Sequence, residues 1–250
     1  MVEKMNKIYI FDVDGTLTPS RLPMTKEFKK FFKEWIKTNE FYLVTGSDLP
    51  KLQEQMGGLE IHANGIFTCC GNEYWQSDPA VHPKHCDLIY SNKFKPPKDL
   101  IKYLEKKVLK SKYPYRCGNH IEDRDAMVNF SVVGRDCTQE QREEYFEWDN
   151  EMGERNITTM EINGTWPDLD AVVGGQISID IYPKGNDKSQ ILKHIEKRHE
   201  TGEIIFIGDG IANGGNDYPL ALLMNNFENC DWHHTKNWKQ TKEILENLID

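Results

Sequence analysis

Residues 7–12, KIYIFD, form a short and almost continuous apolar run, the pattern of a strand covered on both faces in a parallel sheet. TKEFKKFFKEWIKTN follows, with Phe28, Phe31, Phe32, Trp35 and Ile36 at helical spacing and lysines opposite, which predicts an amphipathic helix. FYLVTGSD reads as a second buried strand ending in polar residues, and LPKLQEQMG as a short helix stopped by Gly57 and Gly58. Strand, helix and strand in that order predict a right-handed parallel unit. The character changes after about residue 80. PPKDLIKYLEKKVLKS and TQEQREEYFEWDNEMG predict helices, while AMVNFSVVGR, NITTMEI and GGQISIDIYP are three β-rich segments with much alternation, suggesting an antiparallel α+β unit. From 188-KSQILKHIEKRHE-200 the helix and strand alternation resumes, and EIIFIGDG is another buried strand closing on a Gly-rich loop. The expected architecture is a Rossmann-like, parallel-sheet α/β core of residues 1–81 and 187–250, interrupted by an α+β cap of residues 82–186.

Composition narrows this picture only a little. A chain of 250 residues, 38% hydrophobic and 28% charged, can bury a sizeable core, and no apolar run approaches the roughly 20 residues of a membrane span. The start, MVEKMNKIYIFD, lacks the apolar stretch and cleavage site of a signal peptide, so a cytoplasmic protein without a membrane partner is expected. A net charge of -9 argues against a general nucleic-acid partner but leaves room for a local anion site. The six cysteines include the adjacent pair Cys69 and Cys70 but no CxxC, so neither a zinc ribbon nor a disulfide framework is suggested. His82, His85 and Cys86 read as part of a solvated loop rather than a soft-metal site. Only seven of the 31 basic residues are arginine, yet Arg124, Arg135 and Arg142 fall within nineteen positions. Singly, an arginine such as Arg116 or Arg155 reads as a surface charge.

The candidate chemistry lies at strand ends, where ligands bind in open parallel sheets. Asp12 and Asp14 follow the first strand, Thr45, Ser47 and Asp48 the second, and Asp209, Asn216 and Asp217 the last. Oxygen ligands from three strand ends suit Mg2+, with Asp12, Asp14 and Asp209 as candidate ligands. Lys188, at the start of the preceding helix, adds a positive charge, and metal, lysine and hydroxyl together suit a transferring phosphoryl group. One of the paired aspartates can attack phosphorus to give an aspartyl phosphate while its neighbour moves a proton to and from the sugar-side oxygen. DVDG alone would equally suit an acidic turn; the extended DVDGTLT, with GDGIANGGND about 195 residues later, is far more specific.

FDVDGTLT, the strand ending at Thr45 to Asp48, Lys188 and GDGIANGGND resemble the four motifs of the haloacid dehalogenase superfamily, and the position of the insert is similar to its type C2 cap. The cap segment 118-GNHIEDRDAMVNFSVVGRDCTQEQREEY-145, with 174-GGQISIDIYPKGNDKS-189, closely resembles the type C2b cap of eukaryotic-type phosphomannomutases. The resemblance implies that Asp12 is the nucleophile and Asp14 the general acid and base. It implies further that Arg21, Arg124, Asn129, Arg135 and Arg142 approach the sugar phosphate and that Ser178 and Asp180 contact sugar hydroxyls. Ser47, in preference to Thr45, is expected to hold the phosphoryl oxygen. Interconversion of mannose 6-phosphate and mannose 1-phosphate, a hexose 1,6-bisphosphate activator, a homodimer through the caps and a place in GDP-mannose supply are likewise what the resemblance implies. Asp125 and Ala126 stand where the family usually has Asn and Gly, TGSD stands for GGSD, and GIAN departs from the late loop. The rival readings are a sugar-phosphate phosphatase with the same core and a non-catalytic sugar-phosphate binding protein.

Overall fold

The computed structural model describes residues 6–77, 85–199 and 202–248. Its larger sheet has seven strands in the order β11-β10-β1-β2-β3-β4-β5. β1 (Lys7–Asp12), β2 (Glu40–Val44), β3 (Gly65–Thr68), β10 (Glu203–Gly208) and β11 (Cys230–His234) run parallel, and β4 (Glu73–Ser77) and β5 (Cys86–Ser91) add an antiparallel edge. β1 is the middle one of the five parallel strands, so its residues pack on both faces, as its unbroken apolar pattern predicts. On one face Tyr9 and Phe11 meet Phe28, Phe32 and Trp35 of α1 (Lys26–Trp35) and Leu245 of α8 (Trp238–Leu248). On the other, Ile8 and Ile10 meet Ile191, Leu192 and Ile195 of α6 (Gln190–Glu196) and Leu220 and Met224 of α7 (Tyr218–Met224). α2 (Leu49–Met56) starts on the N-cap carboxylate of Asp48, which accepts from the Lys51 amide, and stops at Gly57 with φ 59°.

The insertion carries a four-stranded antiparallel sheet in the order β6-β7-β9-β8, covered by three helices. β6 spans Ile121–Asp123, β7 Val128–Phe130, β8 Leu169–Gly174 and β9 Ser178–Pro183; α3 spans Lys98–Lys110, α4 Gln139–Met152 and α5 Glu154–Thr165. Two-residue alternation decides what faces where. Val128, Phe130, Ile179 and Ile181 join Leu104 of α3, Tyr145 of α4 and Ile162 of α5 in the cap's apolar core. Asn129 and Asp180, paired across β7 and β9, line the cavity on the opposite face, toward the large sheet.

Two expectations are corrected. NITTMEI is not a strand but the middle of α5, where Arg155, Thr158, Thr159 and Ile162 are buried at a spacing of three and four. Thr158 and Thr159 turn their hydroxyls onto the carbonyls of Glu154 and Asn156, at 2.7 and 2.8 Å, which accommodates β-branched side chains in a helix. The missing cap strand is β8. β5 pairs with β4, so the large sheet extends past the boundary expected at residue 81 and the insertion leaves it after Ser91. The cluster of His82, His85 and Cys86 falls partly outside the described residues at His82; His85 faces Asp87 at 3.2 Å and Cys86 is buried in the core. No helix among the described residues is long and apolar enough to cross a membrane.

Candidate active site

One cavity at the carboxyl ends of the core strands is roofed by the cap sheet. Asp12, Asp14, Arg21, Thr45, Ser47, Arg124, Asn129, Arg135, Arg142, Ser178, Asp180 and Asp209 all border it, and Lys188 lies buried beneath. Sequence positions more than 100 apart therefore converge on a single space.

On the core wall, the Lys188 ammonium donates at 2.6 Å to both Asp12 Oδ1 and Asp217 Oδ1. The Gly210 amide donates at 2.8 Å to the other Asp217 oxygen. Burial disfavours charge on Lys188, but its two carboxylate neighbours outweigh this and raise its pKa well above the usual value, so it stays an ammonium. Burial pushes the Asp12 carboxyl up to about 7, with Lys188 pulling it down and Asp217 adding to the rise. Gly15 shapes the same wall: its φ is +88°, and a Cβ there would come within 2.2 Å of Asp209 Oδ2, so the turn admits only glycine.

Asp12, Asp209 and Asp217 each offer a carboxylate oxygen within 4.8 Å of the others. Asp12 Oδ2 is buried with no hydrogen-bond partner among the described residues. Asp209 is raised well above the ordinary carboxylate range by burial and by the charges of Asp12, Asp217 and Asp14. An unpartnered oxygen among crowded carboxylates is the environment that a hard divalent cation relieves, so the residues fit Mg2+. Asp14 lies outside this group: its carboxylate accepts from Gln55 Nε2 at 2.8 Å and from the Arg21 amide, which fixes Arg21 at φ 61°. Of the three carboxylates expected to hold the metal, Asp12 and Asp209 are thus brought together, while Asp217, the third of the group, has both oxygens engaged by Lys188 and the Gly210 amide. Ser47 is buried at the rim, its amide donating to Thr45 Oγ1 at 3.1 Å.

The cap wall gathers guanidinium groups. Arg124 donates to the Gly46 carbonyl at 2.5 Å, a direct tie from cap to core, and to Glu122 at 2.6 Å. Arg135 donates to Ser178 Oγ at 2.8 Å and lies 3.2 Å from the same Glu122 oxygen. Burial favours neutral Glu122, yet Arg135 and Arg124 prevail and hold its carboxyl below the usual range. Burial and the nearby Arg21 push Arg135 down to about 10, which leaves it charged at neutral pH. Asn129 donates to Asp180 at 2.7 Å, orienting that carboxylate beside Gly46, where a Cβ would come within 2.8 Å of it. Arg142 reaches only Cys137 Sγ, at 3.8 Å, and its buried Nε has no partner among the described residues.

Several participants are absent from the residues foreseen. Glu122 stands two positions before Arg124, and two-residue periodicity could have flagged it. Gln55, which holds Asp14, has no local signature. Arg155 is not a surface charge: it is 4% exposed, donates to Asp149 at 2.6 Å and holds the Gly175 carbonyl at 2.8 Å, bracing the turn before Ser178. Arg116 likewise serves structure, donating to the carbonyls of Val108, Ser111, Tyr113 and Tyr115. Asp125, one of the departures from the family pattern, is exposed in a left-handed turn with φ 59° and does not border the cavity.

A family model described as eukaryotic phosphomannomutase matches residues 28–249. A phosphomannomutase of Drosophila melanogaster is 32% identical over 246 residues, covering 97% of this chain and 95% of its own length. One from Spinacia oleracea is 34% identical, covering 88% of each chain. Among solved structures, a haloacid dehalogenase-like hydrolase from Bacteroides thetaiotaomicron superposes with a TM-score of 0.57 at 14% identity, over 98% of this chain and 100% of its own. An IMP-bound, N-terminally truncated IMP-nucleotidase of Plasmodium falciparum gives 0.61 at 16% identity, over 98% of this chain and 68% of its own. At such identities the two structures share the fold. The sequence matches go further, and with them the chain belongs to the eukaryotic phosphomannomutase family, an enzyme family on a haloacid dehalogenase-like core.

Proposed function

We propose that this chain is a Mg2+-dependent phosphomannomutase that interconverts mannose 6-phosphate and mannose 1-phosphate, primed by a hexose 1,6-bisphosphate. The observation that carries this reading is the cavity itself: a nucleophilic carboxylate on the core wall faces arginines on the cap wall, as a substrate with a phosphate at each end requires. Asp12 Oδ2, without a hydrogen-bond partner among the described residues, attacks phosphorus, and the sugar oxygen leaves as the Asp12–phosphorus bond forms. Asp14, held by Gln55 and the Arg21 amide, gives a proton to that oxygen and later takes one from the other hydroxyl. Lys188 holds Asp12 in place, and Ser47 offers a hydroxyl to the phosphoryl oxygen. Mg2+ held by Asp12 and Asp209 would supply positive charge to offset the negative charge of the transferring group. Arg21, Arg124, Arg135 and Arg142 grip the distal phosphate, for which planar guanidinium groups are suited, while Ser178 and Asp180 meet sugar hydroxyls.

The cavity leaves only about 40 Å³, against the roughly 300–1,000 Å³ of a usual small-ligand cleft. The cap must therefore open, breaking the Arg124–Gly46 tie, to admit a sugar phosphate, and the bisphosphate turns about in the site between half-reactions. A homodimer through the caps is supported by the 84% exposed Leu109, next to a groove that includes Ile101, Val108 and the edge strand β6. A cytoplasmic place in GDP-mannose supply completes the proposal.

The test is a coupled assay. Mannose 1-phosphate with catalytic bisphosphate should yield mannose 6-phosphate; inorganic phosphate as the main product would replace the mutase reading with the phosphatase one, and no turnover at all with the binding-protein one.

A further inference from the structure

A second cavity, of about 430 Å³, lies behind the first. Asp14, Gly175, Gln176, Asp209 and Asn216 border both, so these residues form a partition with the reaction site on one side. The space behind the partition has mixed walls: Ser20, Lys236 and Asn237 are polar, Pro19, Phe146 and Val173 apolar. Two buried oxygens at its edge, Ser20 Oγ and Gln176 Oε1, have no hydrogen-bond partner among the described residues. A space of this size with two unpartnered polar atoms in its wall has room and partners for water. It reaches the proposed acid–base group Asp14 without passing the arginines of the cap.

We propose that Gln176 gates the passage of water from this second cavity to the phosphorylated Asp12, and so decides between sugar and water as phosphoryl acceptor. The inference rests on the mutase reading above. Gln176 is placed for this by its neighbours, since Arg155 pins the Gly175 carbonyl and Arg135 holds Ser178 on the other side. In the side reaction, the oxygen of a water molecule attacks phosphorus and the bond from phosphorus to Asp12 breaks, its electron pair returning to the carboxylate. Asp14 takes the proton from the water, and inorganic phosphate leaves. A sugar hydroxyl makes the same attack in the main reaction, so the outcome turns on which acceptor reaches the phosphorus. Gln176 is a specificity-determining residue in this account and need not touch the reacting atoms.

The test measures isomerisation and phosphate release in the same reaction, with mannose 1-phosphate and a hexose 1,6-bisphosphate. Gln176→Ala should raise the phosphate released per isomerisation by about fivefold or more. Ser20→Leu, which fills the second cavity from its far side, should lower that ratio while isomerisation persists. A ratio unchanged in both variants, or isomerisation and hydrolysis falling in parallel, overturns the gate. Should Gln176→Ala fail to fold by circular dichroism, the Ser20→Leu ratio alone decides. A wild-type protein that releases phosphate without isomerising refutes the mutase reading instead, and the gate is then read from the hydrolytic rates of the two variants. A wild type with no turnover refutes both.

Discussion

On the core wall, Asp12, Lys188 and Asp217 form a closed set in which the buried cation has two carboxylates at 2.6 Å. On the cap wall, Arg124, Arg135 and Arg142, joined by Arg21 from the core, share the cavity with few anions: among the described residues Glu122 is divided between Arg124 and Arg135, and Arg142 has only a thiol. The first wall is finished without a ligand except for one oxygen of Asp12 and the crowded Asp209, where a cation fits. The second is an unneutralised receptor, and its excess positive charge needs the phosphate it is proposed to bind. The proposed nucleophile therefore sits on the parallel sheet and most of the proposed phosphate grip on the insertion. The price of that division is a cap whose arginines repel one another when empty.

The two walls differ most in consequence at Asp12. Asp12→Asn should lower turnover by roughly 10⁴-fold or more while the protein still folds, checked by steady-state kinetics beside circular dichroism. Full turnover would remove Asp12 as nucleophile and leave the core wall a structural ion cluster. Next, Arg155→Met leaves Asp149 buried without its guanidinium, held only by the amide of residue 155 at 2.9 Å, which should destabilise the protein by about 3–5 kcal/mol in urea denaturation. A loss below about 0.5 kcal/mol would show that this pair braces nothing.

Arg142→Met tests the other wall. It should weaken substrate binding by about 1.5–3 kcal/mol, seen as a rise in KM, while thermal stability stays close to that of the wild type, because Arg142 makes only the weak contact with Cys137. A fall in kcat with KM unchanged would contradict a binding role. The smallest effect concerns pH. Asp12 and Asp209 are both raised in the folded protein, so the metal-free folded state holds more protons than the unfolded chain. Its stability should fall as pH rises from the ordinary carboxylate value of 3.8 through about 7. Calorimetry in EDTA at pH 5 and pH 8 checks the sign, and Mg2+ should cancel the loss at pH 8; a metal-free protein more stable at pH 8 would mean these carboxylates are not crowded.

Legibility of the chain varies with how local each feature is. Phe28, Phe32 and Trp35 announce α1 because the apolar face repeats within ten residues, and their burial against Phe11 follows. NITTMEI misleads because β-branched composition outvotes a helical burial pattern that only the neighbouring helix and sheet create. β8, LDAVVG, lacks the unbroken apolar run of the central strands, its positions being partly buried at Asp170, Val172 and Val173 and buried at the other three. At the site, Arg124, Arg135 and Arg142 stand close in sequence and could be read together. Arg155 looked like one charge among many, since its partners Asp149 and Gly175 lie six and twenty positions away.

The amino-acid order alone sets where the strand-end carboxylates fall, because a buried strand closing on DVDGTLT delivers them to the rim of a parallel sheet wherever that sheet is built. It also determined the supply of arginines. Tertiary structure alone decided how the carboxylates divide: Asp217 joins Asp12 around Lys188, while Gln55 and the Arg21 amide draw Asp14 aside. It alone placed Gln176 between two cavities and Arg155 under the turn that carries it. Spacing along a strand or helix fixes which way a side chain points, but which partner it finds depends on elements more than a hundred residues apart coming together.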